Sequence, residues 1–442
     1  MRWFRFLAET VEANLYLVRD YSKLIGGSLG RLVLSLLYFT AVANTLTVAD
    51  FGLFATASAT GVVLSRIAGF GFVSPLYRVS TRKPHLVGIY TAGYLAALAL
   101  SLPVVALAGA GFYVAVFRGD LALLPFALIV VAEVLMWRSL EVVCIVNNGL
   151  RRFGRASLLV VAGSGAKALA AVAFSLTFGA EGGIAAWSAF YLAANTAAAL
   201  AGIVLLYPRQ RLRFRPKLYW RRASDSLAVA GAEVLFYLQS EMDKILVLSI
   251  GGPQIAGIYA MLMRLIDLTA LPVRSFNTMV VQKVMRAPAA FSTWRMRWGI
   301  EAGIALVSVA GMAGLGIILH VAPTLLGRNV ADAAPLVLMV LAVPAFRNLV
   351  EYESELLYAR GRTGTRAGIL GVLGVMKAGF LTLLLATAGE GTGTGWIIGL
   401  NGVFAALWLT SATTSYTAID GWAGRGALVW RRAGLTGRRQ PG

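Results

Sequence analysis

The chain has 442 residues, of which 58% are hydrophobic and only 14% are charged. Soluble domains are about half apolar and about a quarter charged, so this composition excludes an ordinary soluble enzyme and indicates a polytopic membrane protein. The 40 Lys and Arg against 20 Asp and Glu give a formal net charge of +20. The single cysteine, Cys144, excludes a disulfide framework, and two distant histidines, His85 and His320, do not suggest a metal site. We therefore expect no metal or other cofactor.

A membrane-spanning helix needs about 20 mostly apolar residues. The sequence contains twelve such stretches separated by short polar segments, which predicts an all-α membrane protein. The predicted spans cover residues 23–47, 51–76, 87–117, 121–148, 157–178, 183–206, 226–250, 254–282, 298–319, 333–358, 367–388 and 396–419.

The distribution of Lys and Arg predicts the orientation of these spans, because cytoplasmic segments carry the excess of basic residues. With the N-terminus in the cytoplasm, 28 of the 40 basic residues fall on cytoplasmic segments and two, Arg118 and Arg328, on the opposite side. Both termini are therefore predicted to be cytoplasmic. Residues 1–22 have the pattern of an interfacial helix, with a partly ordered tail as the alternative, and 420–442 form a basic tail.

The longest cytoplasmic connection between spans, 207–225, divides the spans six and six and predicts two bundles, 23–206 and 226–419. Its basic and aromatic residues favour a linker lying on anionic lipid headgroups, and the flanking spans argue against nucleic-acid binding.

The two halves of the chain share a faint sequence repeat. Gly52-Leu-Phe-Ala55 corresponds to Gly257-Ile-Tyr-Ala260, and Arg151-Arg-Phe-Gly-Arg-Ala156 to Arg362-Thr-Gly-Thr-Arg-Ala367. Parallel repeats of this kind are typical of transporters that rock around a central site.

The loops predicted to face outward are too short to carry a catalytic domain, and no P-loop pattern is present. We therefore predict that the chain is not an enzyme and does not hydrolyse ATP.

Ionisable residues inside predicted spans are functional candidates, because each costs at least about 2.5–3.5 kcal/mol on insertion scales. Spacings of three or four residues predict ion pairs on one helix face, and such pairs serve as structural ties or as gates. The residues with this spacing are Arg138 with Glu141, Arg264 with Asp267, and Arg347 with Glu351 and Glu355.

Three arginines, Arg31, Arg66 and Arg274, have no acidic neighbour at helical spacing. Each must face water, an anionic ligand such as phosphate, or a carboxylate on another helix, and Arg31 can also reach the cytoplasmic surface. Glu241 and Asp243 are the candidate acids for a coupling cation or proton, although Lys244 can neutralise one of them. These alternatives remain open on the sequence alone.

Several segments resemble a known family. They are Tyr21 to Arg31, Leu46 to Ala55, Ala68 to Arg78, and Asp243 to Gly252 followed by Ile255 to Ala260. Together they resemble Wzx-type lipid-linked oligosaccharide flippases of the multidrug/oligosaccharidyl-lipid/polysaccharide (MOP) exporter superfamily. The resemblance implies two six-helix bundles around a central cavity lined by the first, second, seventh and eighth spans.

The resemblance also implies roles for particular residues. Four arginines lie on those spans and would bind the diphosphate and acidic sugars of the cargo: Arg31, Arg66, Arg264 and Arg274. From their positions and spacing in the spans, the candidates for coupling or gating are Glu241, Asp243, Arg138, Glu141, Arg347 and Glu351.

On this basis we expect a flippase in the bacterial inner membrane that moves a polyprenyl-diphosphate-linked glycan by alternating access, driven by an ion gradient or the membrane potential. Expected partners are membrane lipids and a polysaccharide polymerase with other assembly proteins. The first alternative is a cation-coupled multidrug exporter, which would have an acid-dominated cavity. The second is a scaffold in which the charges only hold the bundle together, so that exchanging Arg138 with Glu141 would preserve function.

Overall fold

A computed structural model describes residues 30–179, 182–270, 273–274, 276–277, 280–281, 284, 294–387 and 394–432. The predicted interfacial helix 1–22 lies outside these residues, as does the basic tail beyond 432. Every regular element in the described part of the chain is helical.

The helices follow the predicted apolar stretches closely. The first half contains α1 (30–45), α2 (Val48–Ile67), α3 (Val73–Arg82), α4 (Val87–Phe112), α5 (Leu123–Val131), α6 (Arg138–Gly149), α7 (Phe153–Phe178) and α8 (Ile184–Leu206). The second half contains α9 (Pro216–Thr269), α10 (Trp294–Val321), α11 (Arg328–Val337), α12 (Val343–Ala359), α13 (Thr363–Thr387) and α14 (Gly395–Arg432).

Eight of the described helices are long and apolar enough to cross a membrane, or nine if the bent pair α11–α12 is one span. The predicted number of twelve stays a prediction. Several predicted spans do not form one uninterrupted α-helix. A 3-10 turn, Ala68–Gly71, ends α2, and a π-helical segment, Ala132–Trp137, joins α5 to α6. The α11–α12 pair is bent by 67°.

The long helix α9 contains the predicted boundary between the seventh and eighth spans. Gly252 has φ 76° and ψ 176°, and Pro253 follows it. A positive φ is readily adopted only by glycine, and proline removes a backbone donor, so the two residues together break the helical hydrogen-bond pattern. The sequence predicts the boundary between the seventh and eighth spans at residues 250–254, and the break in α9 at Gly252 lies within that range.

The described chain forms two compact units. The first comprises Met1–Tyr237 as far as it is described, with Gly251–Ala260 and Leu326–Val330. The second comprises Leu238–Ile250, Met261–Leu325 and Ala331–Gly442, again as far as described. In the first unit, aromatic and aliphatic side chains of α3, α4 and α6 form a core around Leu76 and Tyr90. In the second, α10, α12 and α14 pack around Ile304, Tyr352 and Ile419.

The two copies of the repeat motif touch each other within the first unit. A Cβ on Gly52 would overlap the Pro253 carbonyl oxygen, and a Cβ on Gly257 would overlap the Val48 carbonyl oxygen. The absence of side chains therefore lets the start of α2 and the 251–260 segment of α9 approach backbone to backbone. Small residues serve this purpose at membrane helix interfaces in general.

Gly257→Ala is expected to lower the free energy of unfolding by about 1–3 kcal/mol, because the added methyl forces the two backbones apart. The measurement is the thermal unfolding of the detergent-solubilised protein. Gly231→Ala on the same helix is the matched control, since a Cβ there meets no atom within 4 Å. A Gly257→Ala protein as stable as the Gly231→Ala protein would contradict the close approach.

Candidate functional site

A network of four charged side chains joins three helices in the first unit. Glu141 on α6 accepts two bonds from Arg66 on α2, with Nη1–Oε2 at 3.0 Å and Nη2–Oε1 at 3.1 Å. Arg138 binds Glu141 at 2.9 Å and Glu233 on α9 at 3.1 Å. The Tyr237 ring centroid lies 4.0 Å from the Arg66 guanidinium carbon. Glu141 is therefore shared by two arginines, and each arginine has at least one carboxylate partner.

The arginines of this network lie deeper than the acids. Their side chains are 6% exposed for Arg66 and 2% for Arg138, whereas those of Glu141 and Glu233 are 27% and 35% exposed. The predicted pair Arg138–Glu141 is present. Arg66 binds a carboxylate on another helix, which is one of the alternatives that the sequence left open. Without displacement of Glu141, an anionic ligand approaching this network would meet carboxylates before it met guanidinium groups.

A second buried cluster in the first unit surrounds Glu133. Its carboxylate accepts hydrogen bonds from Ser58 at 2.7 Å and from the Tyr191 hydroxyl. Lys167 donates to the same hydroxyl at 3.2 Å and lies 3.6 Å from the Trp137 ring centroid. Tyr191 thus connects the buried Glu133 carboxylate to the half-buried Lys167, which gives both side chains a polar partner.

In the second unit, the two candidate coupling acids are each paired with a lysine. Asp243 lies 2.8 Å from Lys377 on α13, and both side chains are 4% exposed. Lys377 also donates to the Gln239 carbonyl oxygen at 3.0 Å. Glu241 binds Lys244 one helical turn away. The sequence identified both acids and Lys244, but it did not indicate that Lys377 reaches Asp243.

Asp267 on α9 organises a second cluster in this unit. It binds Arg274 at 3.1 Å and Arg347 on α12 at 3.3 Å, and Arg274 also contacts Glu351 at 3.4 Å. Arg264 and Lys244 act on Asp267 electrostatically. The side chain of Arg274 is 39% exposed, more than that of Arg347. We call the residues Arg264, Asp267, Arg274, Arg347 and Glu351 the Asp267 cluster.

The Asp267 cluster contains pairings that sequence spacing did not indicate. Spacing suggested Arg264 for Asp267 and a stripe of Arg347, Glu351 and Glu355 on α12. In the structure, Asp267 connects to α12 through Arg347, and Glu355 binds Arg366 on α13 at 2.8 Å. Packing between helices therefore decides these partners.

The four arginines predicted to bind the cargo are divided between the units. Arg31 on α1 and Arg66 belong to the first unit, and Arg264 and Arg274 belong to the second. The Arg31 side chain is exposed, whereas Arg66 is buried in its network. Arg264 and Arg274 are brought together in the Asp267 cluster. The binding, coupling and gating roles given to these residues stay predictions.

No family model matches the chain, and no curated protein does. Solved structures do match. An inward-facing multidrug resistance MATE family transporter of the MOP superfamily has a TM-score of 0.61 at 14% identity, covering 88% of this chain and 98% of that one. A MOP superfamily transporter from Pyrococcus furiosus has a TM-score of 0.53 at 13% identity, covering 88% and 96%. The lipid II flippase MurJ has a TM-score of 0.51 at 13% identity, covering 90% and 88%.

The chain has the fold of MOP superfamily transporters. At such low identity the likeness shows the fold alone. The likeness agrees with the predicted multi-pass membrane protein, which the long apolar helices of the described chain also support, and it assigns no activity to this chain. It does not distinguish the branches of the superfamily.

Neutralising one member of the Asp243–Lys377 pair is expected to lower the free energy of unfolding by about 3–5 kcal/mol, because the remaining charge stays buried without its partner. Asp243→Asn and Lys377→Met are the single variants. The double variant should recover most of the loss, since no uncompensated charge remains. Thermal unfolding is measured for the wild type, the two single variants and the double variant, which together form a double-mutant cycle. If the loss in the double variant equals the sum of the two single losses, Asp243 and Lys377 do not stabilise each other.

Exchanging Arg138 and Glu141 is expected to destabilise the first unit rather than restore it. A carboxylate at 138 would lie against Glu233, and a guanidinium at 141 would lie against Arg66. The folded yield and thermal midpoint of Arg138→Glu/Glu141→Arg should both fall. The same exchange in the exposed pair Arg222–Asp225, which has the same spacing, is the control and should change the free energy by no more than about 1 kcal/mol. Native stability in the buried exchange would show that the wider network is unimportant.

Proposed function

We propose that this protein is a flippase that moves undecaprenyl-diphosphate-linked oligosaccharide repeat units from the cytoplasmic to the periplasmic leaflet. The observation that carries the proposal is the partly exposed Arg274 guanidinium of the Asp267 cluster, whose side chain is 39% exposed. Arg274 binds Asp267 at 3.1 Å and Glu351 at 3.4 Å, and Arg347 binds the same Asp267 at 3.3 Å. An accessible guanidinium whose main carboxylate partner is also held by a second arginine favours an anionic cargo.

Arg274 is the residue that we expect to contact the diphosphate first. Its side chain is the most exposed of the ion-paired residues in the cluster. A guanidinium presents several donors in one plane and binds phosphate oxygens in pairs, with shorter and stronger bonds than neutral donors make. A diphosphate can therefore compete with the carboxylates for Arg274, while Arg347 continues to neutralise Asp267.

When no cargo is bound, the ion pairs neutralise the arginines that lie within the spans. An unpaired arginine in a span is costly, so each must exchange one anionic partner for another as cargo arrives and leaves. Binding of cargo to Arg274 would free Glu351 and weaken the link between α12 and the segment that carries Arg274. In this proposal Arg347 and Glu351 gate the site, and Arg138 and Glu141 provide the corresponding link in the first unit. Arg31 supplies a cargo-binding cation there, and Arg66 supplies a second one once Glu141 is displaced.

Alternating access supplies the movement, and an ion gradient or the membrane potential supplies the energy. Moving one elementary charge through the potential contributes about 2.3 kcal/mol per 100 mV. Glu241 and Asp243 are the proposed coupling acids, each released when its lysine changes partner. The setting would be the bacterial inner membrane, with delivery of the cargo to a polymerase for surface polysaccharide assembly.

Two of the structural neighbours are consistent with this choice. MurJ is described as a lipid II flippase, and the Pyrococcus furiosus transporter is described as having a binding pocket of reverse polarity that suggests a different function. The multidrug transporter supports the alternative of a drug exporter. A site for cationic drugs requires accessible acids, whereas the most exposed ion-paired side chain of the Asp267 cluster is that of Arg274.

Arg274→Gln is expected to weaken the apparent affinity for cargo about 10- to 100-fold, because hydrogen bonds to charged groups contribute about 1.5–3 kcal/mol. Arg274→Lys should fall between wild type and Gln, since it keeps the charge but loses the paired geometry. The measurement is the transfer of a fluorescent polyprenyl-diphosphate-linked oligosaccharide across proteoliposomes, followed by a membrane-impermeant quencher. Arg222→Gln, an exposed arginine outside the cluster, is the control.

Three outcomes separate the hypotheses. Unchanged transfer by Arg274→Gln, with normal folding, would refute the site. Failure of the wild-type protein to move the lipid-linked sugar, together with drug efflux that is lost in a folded Asp243→Asn/Lys377→Met double variant, would establish the exporter instead. Absence of both activities in a folded, reconstituted protein would favour the scaffold.

A further inference from the structure

The linker between α8 and α9 is held against the rest of the first unit. Gln210 accepts a hydrogen bond from the Gly88 backbone N–H at 2.8 Å and donates to the Pro84 carbonyl oxygen at 2.9 Å. The Tyr219 hydroxyl donates to the Ile89 carbonyl oxygen at 2.8 Å and accepts from the Arg215 N–H at 3.0 Å. Residues 208–215 therefore form an extended strap across the beginning of α4.

The fit between strap and helix is close. A Cβ on Gly88 would lie 2.5 Å from the Arg211 carbonyl oxygen, so the strap occupies the space that any other residue at 88 would need. At the N-terminal end of the strap, the Tyr207 hydroxyl and the Thr91 hydroxyl are 2.6 Å apart and share a hydrogen bond. The strap is thus fixed at both ends and in the middle.

Beside the strap lies a groove of about 480 Å³, bounded by α4, α6 and α8 and closed at one end by the strap. This volume falls within the range of about 300–1,000 Å³ that is usual for small-molecule sites. The groove is open to the surface, because Leu95, Val204 and Leu212 are exposed along it. Most of its wall is apolar and consists of Leu95, Val142, Val143, Ile203, Val204 and Leu212.

One end of the groove is basic. Arg209 lines this end of the groove. Gln210 lines both the groove and a neighbouring cavity of about 380 Å³. That cavity is lined by Arg211, Arg213 and Arg215. All four arginines of the strap are exposed, and none has a carboxylate partner within the described part of the chain.

We propose that this groove binds an anionic glycerophospholipid, with one acyl chain along the apolar wall and the phosphate against Arg209. An apolar channel that opens sideways and ends in cations matches a lipid with a negative headgroup. Basic residues near an anionic membrane surface are attracted to its headgroups. Arg211, Arg213 and Arg215 extend this attraction along the strap. The inference goes beyond the proposed transport activity, since none of the cargo arginines lines the groove.

The bound lipid would act on the segment that enters the second half of the chain. The strap ends at Arg215, and α9 begins at Pro216. A phosphate held by Arg209 and an acyl chain held by α4, α6 and α8 would tie the strap to the membrane surface. Anionic lipid is therefore expected to stabilise the first unit more than a zwitterionic lipid of the same chain length does.

Native mass spectrometry of the full-length protein tests the proposal. The purified protein is titrated with phosphatidylglycerol or with phosphatidylethanolamine of identical acyl chains, and retained adducts are counted after collisional activation. We expect one strongly retained phosphatidylglycerol. Arg209→Gln should weaken its binding at least about tenfold, as expected for loss of a charged hydrogen bond. Leu95→Trp should abolish it by filling the groove.

Two variants are matched controls. Arg118→Gln removes an exposed arginine elsewhere in the first unit, and Leu169→Trp adds the same bulk to an exposed position on α7. Both should retain the lipid. If Leu95→Trp does not fold, Val204→Trp fills the groove from α8 instead.

Equal retention of the two lipids, or retention of phosphatidylglycerol by both groove-filling variants, would overturn the proposal. Displacement of phosphatidylglycerol by a polyprenyl phosphate at equal concentration would also overturn it, because the groove would then be a site for the cargo lipid. Transport that is normal in Arg209→Gln but lost in Arg274→Gln would show that the two sites are separate.

Discussion

The need to neutralise charge away from water governs the interior of this protein. The chain places arginines, lysines, aspartates and glutamates within helices that are otherwise apolar, where an isolated charge is strongly disfavoured. The structure resolves this through shared partners. Glu141 serves two arginines, Asp267 serves two more, and Tyr191 connects Glu133 to Lys167. The resulting networks connect different helices, so electrostatic compensation also determines which helices must stay together.

Sharing has a consequence for function. A carboxylate held by two cations can lose one of them and remain neutralised, whereas a carboxylate in a simple pair cannot. Asp267 is of the first kind, because Arg274 and Arg347 both bind it. We therefore assign cargo exchange to the Asp267 cluster.

The sequence predicted those features that depend on neighbouring residues along the chain. Apolar length located most helices, the glycine and proline at 252 and 253 located the break in α9, and three-residue spacing located the Arg138–Glu141 pair. The partners of Arg66, Lys377 and Arg347 could not be found in this way, because they depend on which helices pack together. Some irregularities did have local signals. Pro344 stands at the start of α12, and Gly69 and Gly71, both at positive φ, mark the end of α2.

The strap has a further consequence, for the integrity of the chain. The strap carries exposed arginines, after which trypsin cleaves, so a cut made when its hydrogen bonds to α4 open would separate α1–α8 from α9–α14. The two pieces would not come apart, however. The later piece contributes Glu233 to the buried arginine network and Gly257 to the backbone contact with Val48, both within the first unit. The protein should therefore survive as a nicked but associated pair of chains, and its two halves should assemble when they are produced from separate genes.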